Sequence, residues 1–310
     1  MTDDAAEVAV VGSYNVGLTM MVPRFPTGGE TVIGRDFAEG PGGKGSNQAI
    51  AASRLGAESS FIGNIGTDRY GDEAVDLWES EQVDVTNVRR SDDSHTGVGF
   101  VIVNEEGENE ITVAPGANNA LNSNVIRSAR PTIEGSNCLL AQLEVPTEPL
   151  ETAADVAADA NVPVILNPAP ARELPASLLE SVTYLTPNES EALILTGRDP
   201  DADMDHKDLI QELLDLGVGT VVMTRGSSGA LLAADEELMA IDTPEVPVTD
   251  TTGAGDAFNG AFAVALGEGM AIADAVRFAC RAGALAVTEA EVIPGLPSRE
   301  AVEKMEEGSS

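Results

Sequence analysis

The chain has 310 residues, 43% hydrophobic and 22% charged, which excludes a disordered chain and suits one large or two unequal domains. Asp and Glu number 52 against 17 Lys and Arg, a net charge of −35, and that field repels nucleic acid and anionic lipid. Two cysteines and two histidines exclude a disulfide scaffold and leave too little for a His-based zinc site or a Ser-His-Asp triad.

In chain order, Glu7 to Val11 reads as a buried strand, followed by Gly12-Ser13-Tyr14-Asn15. Thr31 to Phe37 reads as a short strand with mixed faces. Gly45 to Leu55 has a helical pattern ended by Gly56, Phe61 to Ile65 is a strand, and Asp72 to Glu81 a helix. Gly97–Val103 and Glu110–Ala114 flank Asn104-Glu105-Glu106-Gly107, a hairpin signal. Apolar runs then alternate with helical patterns: Cys138–Leu143, 147–160, Val162–Leu166, Val182–Leu185, 188–196, 205–216 and Thr220–Thr224. Gly229–Ala234 and Leu238–Asp242 form another hairpin, Ala254 to Thr288 is mostly helical, and the polar end Glu303–Ser310 is expected to fray.

Strands alternating with helices predict an α/β fold: a central, mostly parallel sheet with helices on both faces. Two strand-rich segments break the alternation, 16–38 and 96–113. They are expected to form one small β-sheet lid over a core made of 1–15, 39–95 and 114–310. The basic residues are fourteen Arg and only three Lys (Lys44, Lys207 and Lys304), which suits solubility in concentrated salt, a halophilic character. An ordinary acidic enzyme is the alternative. No window approaches the length of an apolar membrane span, and Met1-Thr2-Asp3-Asp4 is acidic where a signal peptide is basic, so a cytoplasmic protein with no membrane partner is expected.

Pro41-Gly42-Gly43-Lys44-Gly45-Ser46-Asn47-Gln48 runs into the first helix, where glycines let backbone approach a ligand and helix-start amides favour anions or hydroxyls. Its match to GxGxxG is discounted because no buried strand precedes it, and Gly45 after Lys44 rules out a Walker loop. In Asp250-Thr251-Thr252-Gly253-Ala254-Gly255-Asp256, the amides of Gly253, Ala254 and Gly255 can form an anion pocket with the positive helix end behind it. Asp256 beside them can take a proton from an attacking hydroxyl, although Asp is also common in any first helical turn. Asn188 and Glu191 lie one turn apart, a spacing that suits Mg²⁺ held through water, and a helix cap explains the same pair. Thr224-Arg225-Gly226-Ser227-Ser228-Gly229 follows a buried strand at the carboxyl edge where α/β sheets bind ligands, or is a hairpin turn.

Taken together and in order, these motifs resemble the ribokinase branch of the ribokinase/PfkB sugar kinases. Gln142-Leu143-Glu144, Asn167-Pro168-Ala169-Pro170-Ala171 and Thr186-Pro187-Asn188-Glu189 belong to the same match, which covers nearly the whole chain. The resemblance implies ATP-dependent phosphorylation of a sugar's 5-hydroxyl, with Asp256 as general base and Gly253 to Gly255 as anion hole. It implies Asn188 and Glu191 at the Mg²⁺ water network, and Thr224, Gly226, Ser227 and Gly229, with Asn188 and Gly255, around the nucleotide. Asn15, Gly42, Gly43, Lys44, Asn47 and Glu144 would contact the sugar, and two lids would pair into a homodimer.

Two positions depart from that pattern. Ribose kinases of the family usually carry Asp where this chain has Gly17, which leaves room and a less negative field near C1. Ribose 1-phosphate is therefore weighed evenly with free ribose, with Lys44 and Arg35 as candidate phosphate partners. Beyond Thr288, Glu289-Ala290-Glu291-Val292-Ile293-Pro294-Gly295 replaces a basic loop that helps hold K⁺, leaving carbonyls of Asp250 and Thr252 as half of a monovalent-cation site. A nucleoside kinase, a fructose or keto-deoxy sugar acid kinase and a non-catalytic sugar-binding sensor remain the alternatives.

Overall fold

Apolar runs with no polar alternation can be buried only between two layers, and the strands here are so placed. The computed structural model describes residues 5–234 and 237–307, so the acidic start Met1–Asp4 and the last three residues lie outside it. Strands β1 (Glu7–Val11), β2 (Asn15–Met21), β3 (Asp36–Gly42), β4 (Glu58–Gly66), β5 (Val88–Ser91), β6 (Gly97–Val103) and β7 (Asn109–Ala114) fill the first part. β8 (Cys138–Gln142), β9 (Val164–Asn167), β10 (Tyr184–Leu185), β11 (Thr220–Thr224), β12 (Ala230–Ala234) and β13 (Glu237–Ile241) complete the set. The main sheet has nine strands in the order β13-β12-β11-β10-β9-β8-β1-β4-β5. It is parallel from β5 to β11, with an antiparallel hairpin at one edge.

Successive β1 residues serve opposite cores. Val8 and Val10 join a cluster with Ile50, Trp78 and Phe262, whereas Ala9 and Val11 join one with Ile126, Leu150 and Leu209. The first layer contains α1 (Lys44–Arg54), α2 (Arg69–Ser80), α9 (Ala254–Gly267) and α10 (Ile272–Ala286). The second contains α3 (Ser123–Ser128), α4 (Arg130–Gly135), α5 (Thr147–Asp159) and α8 (His206–Asp215). Short helices α6 (Ala176–Glu180), α7 (Glu189–Leu195), α11 (Val292–Gly295) and α12 (Arg299–Glu307) complete the chain. α12 reaches Glu307, into the polar end from Glu303 that was expected to fray. Among the described residues no helix is long and apolar enough to cross a membrane.

A separate four-stranded sheet has the order β3-β2-β6-β7. Its third segment corrects the expected strand at Thr31–Phe37: β3 runs from Asp36 to Gly42 through residues of poor strand propensity. Pairing with β2 along its full length makes it a strand, and its edge position tolerates Pro41.

The single tryptophan, Trp78, is fully buried against Phe61 and Tyr14, so its emission reports unfolding. Exposed ion pairs such as Arg130–Glu134 and Lys304–Glu300 contribute little against the net charge. Raising KCl from 0.1 M to 1 M shortens the Debye length from about 10 Å to about 3 Å. The melting temperature followed through Trp78 is expected to rise by several degrees over that range. A flat or falling curve contradicts the salt-adapted reading of the surface.

Candidate active site

The site begins where two backbones touch. Gly43 has φ of 90°, and a Cβ there would meet Asn15 N at 2.6 Å and Tyr14 Cα at 2.7 Å. A Cβ at Gly45 would meet Ser13 N at 2.6 Å. The start of α1 is thereby set against the Gly12–Asn15 turn, which only glycine permits. Glu144, just beyond β8, locks this contact: its Oε2 accepts from the Lys44 amide at 2.9 Å, Ser13 Oγ at 2.5 Å and Asn15 Nδ2 at 3.3 Å. Asn15 Oδ1 accepts from Asn118 Nδ2 at 2.9 Å, and Asn118 also bonds both backbone groups of Tyr14.

Asp256, in the first turn of α9, is 5% exposed. Asn47 Nδ2 donates to its Oδ2 at 2.8 Å and Gln48 Nε2 to its Oδ1 at 2.9 Å. Burial raises the Asp256 pKa above the ordinary value; Lys44, Asn47 and Gln48 oppose this, and Glu144 adds to it. Burial works against the Lys44 charge, yet Asp256, Glu144 and Glu191 outweigh it and raise the ammonium's pKa. Burial also raises Glu191, with Asn188 and Lys44 opposing. Asn47 Oδ1 is buried with no protein partner, an acceptor that a ligand hydroxyl can satisfy.

Gly253 caps α9 with φ of 83°, and a Cβ there would meet Val292 Cγ1 at 2.7 Å. A Cβ at Gly255 would meet nothing within 4 Å, so the helix start faces open space on that side. Free amides at such an end can hold an anionic group. The Ala254 amide is partly engaged, bonding Thr251 O at 3.4 Å.

The nucleotide-side candidates gather at the carboxyl ends of β10 and β11. Thr224 N donates to Pro187 O at 2.8 Å and pairs with Asn188, while Gly226 and Gly229, with φ of 52° and 76°, shape the turn carrying Ser227. Asn188 and Glu191 form a capping box: Asn188 Oδ1 accepts from the Glu191 amide at 2.8 Å, and Glu191 Oε2 accepts from the Asn188 amide at 2.9 Å. With Asn188 Oδ1 so occupied, the pair fits Mg²⁺ only through water, with Glu191 Oε1 as the oxygen left over. Among the described residues no group of three His, Cys, Asp or Glu is placed to hold a metal. Asp250 Oδ1 accepts from Thr252 N at 2.9 Å and Thr252 Oγ1 at 2.7 Å, and its Oδ2 from Glu291 N at 3.3 Å. A monovalent cation here would therefore take backbone carbonyls.

Gly17 pairs with Gly40 on one side and Gly99 on the other, a bare row across three strands. A Cβ at Gly17 would meet only Gly40 O, at 3.6 Å, and Gly42 lies next along the strand beside Asn15. Arg35 is not a neighbour of this row. Its amide bonds Met21 O at the far end of β2, roughly 20 Å from Asn15 at 3.3 Å per residue, and its side chain pairs with Glu105. Its candidacy as a phosphate partner is withdrawn.

Motif spacing gave no role to Asn118, Thr186 or Asn259, and quoted Gln48 and Asn167 only as pattern. All five are buried amide or hydroxyl side chains joined to the site. For Asn167 and Asn259 the legible signal was an amide directly after apolar residues, Ile165-Leu166 and Ala257-Phe258.

Residues 5–299 match the profile of the pfkB family carbohydrate kinases. The ribokinase of Haemophilus influenzae is 38% identical over 293 residues, 94% of this chain and 96% of that protein. The ribokinase of Bacillus subtilis is 37% identical over 298 residues, 96% of this chain and 98% of that one. The structure of Arabidopsis thaliana ribokinase complexed with ribose and ATP superposes with a TM-score of 0.92 at 32% identity, covering 97% of this chain and 99% of that chain. A match of this extent, on a chain whose glycine turn, Glu144 and Asp256 meet at the start of α1, makes the protein a member of the pfkB carbohydrate kinase family, in its ribokinase branch.

Proposed function

We propose that the protein is an ATP-dependent pentose kinase that phosphorylates the 5-hydroxyl of ribose, giving ribose 5-phosphate. The observation that carries this is Asp256, a buried carboxylate held by Asn47 and Gln48 beside Lys44 at the open start of α9. In this reading sugar hydroxyls bond Asn15, Asn47 Oδ1, Lys44 and the unused oxygen of Glu144, with Gly42 and Gly43 approaching by backbone. Asp256 takes the proton of the 5-hydroxyl as its oxygen attacks the γ-phosphorus, the bond to the β-phosphate bridging oxygen breaks, and ADP leaves. The amides from Gly253 to Gly255 meet the charge on the transferring group, a type of contact typically worth ~10²–10³ in rate. Asn188 and Glu191 would hold Mg²⁺ through water, where it supplies positive charge to the phosphates. Thr224, Gly226, Ser227 and Gly229 line the nucleotide. ATP as donor goes with a cytoplasmic location.

The bare row at Gly17, Gly40 and Gly99 favours a second reading, ribose 1-phosphate converted to ribose 1,5-bisphosphate. Free ribose is preferred because, with Arg35 remote, Lys44 alone would have to serve the second phosphate. Ile111, Val113 and Met21 are 58%, 51% and 43% exposed. They alternate onto the face that carries Asn15 and Gly17, which supports pairing of two lids over the sugar.

Four outcomes test these statements. Asp256→Asn is expected to lower kcat by at least ~10²-fold with nucleotide affinity nearly intact. Because burial raises the Asp256 pKa, the group keeps its proton to higher pH than a free aspartate, and kcat falls on the acidic side at a higher pH than a free aspartate would set. Near-normal turnover of the variant removes the base assignment.

Side-by-side kcat/KM with ribose and ribose 1-phosphate decides the substrate: a higher value for ribose is expected, and the reverse makes Gly17 a remodelled C1 pocket. Sedimentation in molar KCl is expected to give twice the 32.0 kDa chain mass, and a monomer there excludes the paired lids.

A further inference from the structure

We propose that Gln48, Asn167, Thr186 and Asn259 are positioning residues for Asp256, joined in a ring of buried hydrogen bonds whose donor sense runs outward from Gln48 and that presents the Asp256 carboxylate to substrate as an acceptor. The proposal rests on Asp256 being the general base. The ring leaves the Asp256 side chain and returns to the carbonyl of Gly255, the preceding residue.

Two backbone carbonyls fix its direction, because a carbonyl can only accept. Thr186 O requires a donor, so Asn167 turns Nδ2 toward it at 3.2 Å and leaves Oδ1 facing Gln48. Gln48 Nε2 then supplies one proton to Asn167 Oδ1 at 3.1 Å and the other to Asp256 Oδ1 at 2.9 Å, while its Oε1 takes Gln142 Nε2 at 2.5 Å. On the other arm, Gly255 O draws Asn259 Nδ2 to 2.8 Å. Asn259 Oδ1 must then accept, and Thr186 Oγ1 donates to it at 2.6 Å. Thr186 thus orients both arms, one through its carbonyl and one through its hydroxyl.

No member can turn its amide without facing oxygen to oxygen. Gln48, Thr186, Asn259 and Asn167 are 0%, 1%, 1% and 6% exposed, so water does not stand in for a lost partner. With Asn47 on Oδ2 and Gln48 on Oδ1, both Asp256 oxygens meet N–H donors, and a substrate hydroxyl has to approach as a donor too. Lys44, Glu144 and Glu191 are the charged groups facing this carboxylate.

Gln48→Met keeps length and removes the donor while leaving those three charges in place. The acidic limb of the kcat profile is expected to move to higher pH by about half a unit or more, with plateau kcat about tenfold lower and KM for ATP within about twofold. A limb that stays put in the folded variant overturns the proposal.

Should Gln48→Met not fold, Thr186→Val and Thr186→Ser provide the measurement. Valine is expected to lower kcat about tenfold with KM for ribose within about twofold, and serine to restore most of it. Unchanged kcat with valine, or no recovery with serine, overturns the ring. Asp256→Asn separates the two ideas: an active variant removes the base itself, whereas an inactive one beside an unmoved Gln48→Met limb removes only the ring.

Discussion

The structure turns on a buried carboxylate. Taking Asp256 out of water costs several kcal/mol unless donors and a cation replace its hydration. Those donors come from Asn47 and Gln48 and the cation from Lys44, all on α1, so α1 and α9 have to lie close together. Their crossing is built accordingly. A Cβ at Gly260 would meet Ala51 Cβ at 2.6 Å and Gln48 O at 3.0 Å, so a side chain there would wedge the helices apart and withdraw the donors. Small residues at this crossing are a condition of the electrostatics as well as of packing.

The same contact ties the small sheet to the site. Its strands β2 and β6 are anchored at their roots: Asn118 holds Tyr14 and Asn15, and Asp68 accepts from Thr96 N at 2.8 Å and Thr96 Oγ1 at 2.6 Å while capping α2 through Gly71 N at 2.9 Å. The outer ends carry the exposed Phe37, Ile111 and Met21. The ties at the roots hold Asn15 in place beside Glu144 whatever the outer ends of the sheet contact.

The parallel sheet was legible because β1, β8 and β11 are built on apolar runs, which fit only between two helical layers. The glycine motif and Asp250–Gly260 were legible because chemistry at a helix start demands particular residue types there. β3 was displaced because a strand of Asp, Glu, Gly and Pro is made by its partner, and local propensity carries no trace of that. The amide ring was hidden for a related reason: Gln48, Asn167, Thr186 and Asn259 come from four separate elements, and spacing along the chain says nothing of their meeting. Arg35 misled in the opposite sense, since nearness in sequence to the glycine motif becomes a strand's length in space.

Charge adds a last constraint. One of only three lysines stands at the site, facing the carboxylates of Asp256, Glu144 and Glu191 in a chain of net charge −35. A polyphosphate approaching that pocket meets repulsion at long range and has Lys44 alone among these groups to offset it. Helix-start amides act only within the first turn, so they stabilise a phosphoryl group that has arrived without drawing it in. The remaining attraction has to travel with the donor or the medium: a cation bound to the phosphates, and salt dense enough to shorten the range of the protein's own field. An acidic surface and phosphoryl transfer are then easier to reconcile where cations accompany the phosphates. In this chain the acidic surface and the charge of the phosphates call for the same counter-ions.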